Sequence, residues 1–282
     1  MRQSHVTVCD GRTIAYAEIG RAGDACLLYF HGAPASGLHI AAREAQFAAH
    51  GLRVVAPDRP GYGGSSPQPG RSMADWPADV AALADALGIE RFAVAGHSSG
   101  GAYAVACAAR LGERVLGGVV LAGSTDMSWP PSWDGYLDAR AELAIMRCAD
   151  ERDAIALAIA HFGADGGGFL AEPFDLPEPD LAELADAQAG HALTATMIEA
   201  FRQGIGGYAQ DLWLEGHGWP FDPGRITVPI DVLHGAGDTL VPLAHSRHTA
   251  ELIPGARLRV VAGHGHLTIL SELPAAALAL VR

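Results

Sequence analysis

Short apolar runs alternate with longer stretches of helical spacing through the first 122 residues. His5–Val8 and Thr13–Ile19 read as strands joined by a turn at Asp10-Gly11. Ala25–Phe30, Arg53–Ala56, Phe92–Ala95 and Val115–Ala122 are compact apolar runs of strand length. Between them, apolar residues recur with helical spacing in Gly37–His50, Ala74–Leu87 and Gly100–Leu111. The first of these ends at Gly51 and the second at Gly88. Near-continuous apolar strands separated by helices predict a parallel sheet covered on both faces.

The alternation stops at about Gly123 and returns only after Arg225. The stretch between is Ala-rich and helical around Tyr136–Cys148, Asp153–Phe162 and Asp180–Gly204. Gly166-Gly167-Gly168 and the segment from Pro173 to Pro179 punctuate it. It holds four of the five tryptophans and five of the eight phenylalanines. The sheet pattern resumes with Pro229–Gly235 and Arg257–Val261, with helices near Leu243–Leu252 and Leu273–Val281. The division expected is a core of residues 1–122 and 226–282, interrupted by a helical cap of residues 123–225.

Composition narrows the function. The chain has 282 residues, 49% of them hydrophobic and 18% charged, which excludes a disordered chain. No apolar run reaches the ~18 residues a membrane helix needs, and the first residues lack a signal-peptide apolar core. A cytoplasmic protein with no membrane partner is expected. Nineteen basic against thirty-two acidic residues give a net charge of −13, which disfavours nucleic acid as a partner. Every basic residue counted there is arginine. Without lysine there can be no Schiff-base lysine and no P-loop lysine. Cys9, Cys26, Cys107 and Cys148 form no C-x-x-C pair, so reduced structural thiols are expected rather than a metal site.

Five loops carry candidate chemistry. Gly96-His97-Ser98-Ser99-Gly100 matches G-x-S-x-G, with a strand before it and a helix after it. A serine on such a sharp turn is forced into a strained backbone conformation, and the glycines let neighbouring chain approach. Ser98 is therefore the candidate nucleophile, with the Ser99 N–H pointing where an oxyanion would form. Phe30-His31-Gly32-Ala33-Pro34 follows a strand, and the Ala33 N–H is the second candidate oxyanion donor; His31 reads as a structural hydrogen-bonding group. In Asp58-Arg59-Pro60-Gly61-Tyr62-Gly63-Gly64-Ser65, Asp58 and Arg59 are expected to hold the loop by local pairing. Asp238, in Gly235-Ala236-Gly237-Asp238, sits well for a triad acid, and Gly263-His264-Gly265-His266 offers a histidine on a glycine loop. The chain order is then Ser98, Asp238, His266.

These motifs resemble the α/β-hydrolase superfamily, in its cap-bearing esterase, lactonase and C–C hydrolase-like branch. The resemblance covers residues 1–122 and 226–282, and no motif in 123–225 transfers. It implies an α/β fold: a mostly parallel eight-stranded sheet with helices on both faces and a helical cap inserted after the sixth strand. It also implies Ser98 as nucleophile, Asp238 as orienting acid and His266 as general base, with no cofactor and no metal. His264 is the alternative base and Asp126 the alternative acid. Relatives that make an alkyl-enzyme ester place an aspartate at the elbow, where this chain has serine.

The activity implied is hydrolysis of an ester, lactone or related carbonyl bond through an acyl-enzyme. The substrate would be small to medium and largely apolar. Met127, Trp129 and Trp213 are the pocket candidates, and His217 reads as an exposed loop residue. No acidic, amine-binding cluster stands out in the insert, and the His31 loop lacks the glycine-rich form of proline iminopeptidases. The alternative is a non-hydrolytic lyase or cyclase of secondary metabolism, or a ligand-binding member of the fold. A monomer or homodimer acting on a small molecule is expected.

Overall fold

The computed structural model describes residues 1–136, 140–171 and 175–281. Eight strands form one sheet: β1 (Arg2–Thr7), β2 (Thr13–Ile19), β3 (Ala25–Phe30), β4 (Leu52–Pro57), β5 (Phe92–His97), β6 (Val115–Leu121), β7 (Ile230–Gly235) and β8 (Arg257–Val261). Their order is β1-β2-β4-β3-β5-β6-β7-β8. β1 and β2 pair antiparallel, as do β2 and β4, and the remaining neighbours are parallel. β1 begins earlier than its apolar pattern suggests, because ladder bonding holds Arg2 opposite Glu18 although most of its side chains are exposed. An edge strand needs no buried face to pair.

Alternate residues of the central strands enter two separate cores. Leu28, Phe30, Val55, Val94, Val120 and Val232 pack on one face, against α2 (Trp76–Ala86), α3 (Gly100–Arg110) and Ile253 at the end of α10 (Leu243–Leu252). Leu27, Tyr29, Val54, Ala95, Val119 and Leu233 pack on the other, against Phe47 of α1 (Glu44–Ala49) and α11 (Leu273–Val281). The segment expected as one helix over Gly37–His50 begins as a 3₁₀ turn, Gly37–Arg43, before α1. A Cβ at Gly37 would strike the Ala56 carbonyl of β4, so this turn lies directly on the sheet.

Between β6 and β7 no strand occurs among the described residues. The insert holds α4 (Ala141–Met146), α5 (Glu151–Phe162), α6 (Gly167–Ala171), α7 (Glu178–Leu184), α8 (Ala187–Ala200) and α9 (Gly206–Gly216). The expected helix over Asp180–Gly204 is broken into α7 and α8 by Asp186. Its side chain accepts from the N–H groups of Gln188 and Ala189 and starts α8. Pro173 and residues 137–139 of the expected Tyr136–Cys148 helix lie outside the described residues. The insert has its own apolar core, including Ile145, Phe162, Phe169, Phe201 and Tyr208, which meets Tyr62 and Val241 of the sheet-bearing part.

The topology places the chemistry. From β3 the chain moves outward to β4, then returns across β3 to β5 and continues the other way. Loops leaving the carboxyl ends of β3 and β5 therefore diverge and leave a crevice, the usual seat of a ligand in open α/β sheets.

Candidate active site

Ser98 occupies the turn between β5 and α3 with φ of +54°, a left-handed conformation that costs a non-glycine residue energy. The turn is fixed from both sides. The Ser98 N–H donates to Leu121 O at 2.9 Å, and Gly101 N–H donates to Ser98 O at 2.9 Å. A Cβ at Gly96 would strike the Gly100 carbonyl, and one at Gly100 would strike Phe30 and His31 backbone. Both glycines are thus required by close backbone approach. Ser98 is half-buried, and Ser99 stands at the N-terminus of α3.

The structure brings Asp238 and His266 together. His266 Nδ1 donates to Asp238 Oδ2 at 2.9 Å, which leaves Nε2 of the neutral ring as an acceptor. The other carboxylate oxygen accepts the N–H groups of Leu240 and Val241 at 2.9 and 3.1 Å. Burial pushes the Asp238 carboxyl up, but His266 beside it and these hydrogen bonds outweigh that, and it sits below its ordinary value. His234 packs under the pair, its Nε2 3.9 Å from Asp238. The two alternatives point elsewhere. His264 Nδ1 donates to Thr268 O at 3.1 Å, and Asp126 accepts the N–H groups of Ser128 and Trp219 at 3.0 and 3.1 Å.

His97, the residue before the elbow serine, has a place the sequence did not assign. Its Nε2 donates to the backbone carbonyl of His266 at 2.8 Å, and the two rings lie 4.7 Å apart. Burial, then the charge it would share with His266, holds His97 well below the usual histidine value and keeps it neutral.

The loop after β3 lies over the nucleophile. A Cβ at Gly32 would sit 3.2 Å from Ser98 Cβ and 3.3 Å from His97 Nδ1, so this position suits glycine. His31 is fully buried; its Nδ1 donates to Gly32 O at 2.7 Å, and its Nε2 accepts the Arg59 N–H at 3.3 Å. Burial, then the nearby Arg59 cation, keeps His31 neutral. The expected local pairing of Asp58 with Arg59 is not what forms. Asp58 accepts the N–H groups of Gly37 and Gly64 at 2.6 and 3.1 Å. The Arg59 guanidinium instead reaches Asp211 of α9 at 2.6 Å.

Ser98, Ala33, Ser99 and His266 border one cavity of about 120 Å³. Its apolar wall includes Phe169, Leu176, Leu193, Met197, Leu212 and Leu240. Met127, Trp129 and Trp213 are not among its lining residues. Met127 is spent in the insert core, Trp129 stacks on His248 at 4.0 Å, and the Trp213 indole donates to Cys148 O at 3.1 Å. His217 is exposed, its Nδ1 donating to Trp213 O at 2.7 Å. Two buried carboxylates that the sequence did not flag do border the cavity, Glu142 and Glu215. Glu142 takes Arg140 at 2.8 Å, and Glu215 takes the Tyr136 hydroxyl at 2.6 Å. Burial pushes Glu215 up, opposed by the Tyr136 bond. They lie 73 residues apart, so no local pattern joins them. Among the described residues, no group of three or more His, Cys, Asp or Glu could hold a metal ion.

Residues 27–279 match the model of the alpha/beta hydrolase family. The chain is 27% identical to a non-heme haloperoxidase of Rhodococcus erythropolis over 95% of its own length and 94% of that protein. It is 31% identical to 2-hydroxymuconate semialdehyde hydrolase of Pseudomonas putida, over 77% of this chain and 71% of that one. A hydrolase from Pseudomonas aeruginosa PA01 superposes with a TM-score of 0.68 at 26% identity, covering 99% of this chain and 96% of that chain. The sheet order, the strained serine turn and these likenesses agree, and the chain belongs to the alpha/beta hydrolase family.

Proposed function

We propose that this enzyme hydrolyses carboxylic esters or lactones of small, largely apolar acids through an acyl-enzyme on Ser98. One observation carries the reading: a serine at φ +54° borders the same cavity as a histidine whose Nδ1 is held at 2.9 Å by a buried aspartate. That histidine tautomer leaves Nε2 to take a proton.

In the first step Ser98 Oγ bonds to the substrate carbonyl carbon and His266 Nε2 takes the hydroxyl proton. Asp238 stabilises the imidazolium. The N–H groups of Ala33 and Ser99 receive the oxyanion, each worth roughly 3 kcal/mol of barrier. The C–O bond to the leaving group then breaks, and the departing alkoxide takes the proton from His266. Water repeats the sequence: it loses a proton to His266, bonds to the acyl carbon and releases the acid, and Ser98 regains its proton. The insert of residues 123–225 serves as the cap, supplying Phe169, Leu193, Met197 and Leu212 to the cavity wall. An engineered apolar cavity of about 150 Å³ holds one benzene. A cavity of about 120 Å³ therefore suits a short acyl chain.

The test is turnover of p-nitrophenyl butyrate by wild type and Ser98→Ala. The reading expects wild-type hydrolysis and a fall of at least about 10³-fold in kcat in the variant. Hydrolysis that survives the substitution would sink it.

A further inference from the structure

Arg59 has a fully buried side chain, yet it is paired and hydrogen-bonded throughout. Nε donates to Asp211 Oδ2 at 2.6 Å. Nη1 donates to the His31 carbonyl, and Nη2 lies 3.3 Å from both the Gly32 carbonyl and Ser99 Oγ. One cation thus touches the loop over the nucleophile, the residue after the nucleophile, and a helix of the insert. Asp211 is itself bracketed, because Arg71 pairs with it and the Tyr103 hydroxyl donates to it at 2.7 Å.

The bonds at Gly32 bear on chemistry. The Gly32 carbonyl and the Ala33 N–H belong to one planar trans peptide, so they point in opposite directions. Two donors grip that carbonyl, His31 Nδ1 at 2.7 Å and Arg59 Nη2 at 3.3 Å. Holding the oxygen sets where the N–H points, and a cation behind the carbonyl polarises it further. Helix α9 makes two sets of contacts from adjoining positions. Tyr208, Leu212 and Glu215 wall the cavity at helical spacing, while Asp211 turns toward the sheet and holds Arg59.

We propose that Arg59 is a positioning residue: Asp211, on the helix that also walls the cavity, holds Arg59 on the His31 and Gly32 carbonyls and thereby aims the Ala33 N–H at the oxyanion. The proposal rests on the acyl-transfer reading. A buried Arg–Asp pair that served only the fold would affect stability and leave oxyanion binding alone.

The experiment compares wild type with Arg59→Met, Arg59→Lys and Asp211→Asn. Arg59→Met leaves Asp211 paired with Arg71 and Tyr103. Three quantities are measured on each folded variant: kcat and KM for p-nitrophenyl butyrate, thermal midpoint, and affinity for a short alkyl trifluoromethyl ketone. The ketone carbonyl takes up the Ser98 oxygen as a tetrahedral oxyanion, with the serine proton passing to His266. A misaimed donor should lower kcat by about 10–100-fold with KM within about threefold. Ketone affinity should fall by the same factor as kcat/KM. Arg59→Lys should recover part of the loss. If Arg59→Met does not fold, Arg59→Lys and Asp211→Asn carry the comparison. Variants with lowered thermal midpoints but wild-type kcat and ketone affinity overturn the positioning role alone. Wild type that neither hydrolyses the ester nor binds the ketone overturns the acyl-transfer reading and this proposal with it.

Discussion

At Asp238 the two carboxylate oxygens have separate tasks, one holding His266 and the other the Leu240 and Val241 N–H groups. Asparagine can keep the second task and fail the first, because its amide nitrogen cannot accept from Nδ1–H. Asp238→Asn should therefore fold with a similar thermal midpoint and lose about 10³–10⁴-fold in kcat. A kcat within tenfold of wild type would mean that Asp238 does not orient the base. Asp58 offers a test by pH. Burial pushes it up to about 6 from 3.8, partly offset by the Gly37 and Gly64 N–H groups. Between those values the folded chain binds the proton and the unfolded chain does not, so stability falls as pH rises through the window. The unfolding free energy of wild type relative to Asp58→Asn should rise by about 2 kcal/mol between pH 7.5 and pH 4.5. A difference that does not move with pH contradicts this. Single residues were legible in the sequence where a loop announces them: Ser98, Asp238 and His266 each follow a strand in a glycine-bearing turn. The Arg59–Asp211 pair was not, because its partners are 152 residues apart and only folding joins them.

Helix α9 shows how an element carries several functions at once. Gly207 packs backbone to backbone against Gly61, where an added Cβ would lie 2.6 Å from the Gly61 carbonyl group. Gly207→Ala should push the helix off this loop, cost about 1–3 kcal/mol and lower kcat, since Asp211 rides on the same helix. Gly206→Ala is the control: nothing lies within 4 Å of the added atom, and a helical alanine there should stabilise by about 0.5–1 kcal/mol. Denaturant titration of the pair checks both, and equal effects would show that the Gly61 contact is slack. Element types were legible because the strands are compact apolar runs and the helices end at glycine. Boundaries were less so. Ladder bonding extends β1 over polar residues, and the Asp186 cap splits α7 from α8 within one continuous apolar pattern. The tryptophans misled for a related reason. Composition places them in the insert, but rotamer and neighbours decide direction, and Trp129 and Trp213 turn away from the cavity.

For the molecule as a whole, strand and helix alternation implied a parallel sheet covered on both faces but not its strand order, and the cavity is a product of assembly. Its walls come from the loop after β3, the elbow, the loops after β7 and β8, and the insert, and no one segment encodes its size. At about 120 Å³ it is smaller than the usual ligand pocket of ~300–1,000 Å³. Among p-nitrophenyl esters, acetate and butyrate should exceed decanoate by about tenfold or more in kcat/KM, and Leu212→Ala should narrow the gap by lengthening the cavity. A preference for decanoate in wild type would contradict a short site. The central claim, an activated serine facing that cavity, is tested most directly by intact-protein mass after incubation with a small fluorophosphonate. Wild type should gain one adduct, mapped by peptide to Ser98, and folded Ser98→Ala should gain none. An adduct on another residue, or none on folded wild type that hydrolyses esters, would contradict the account.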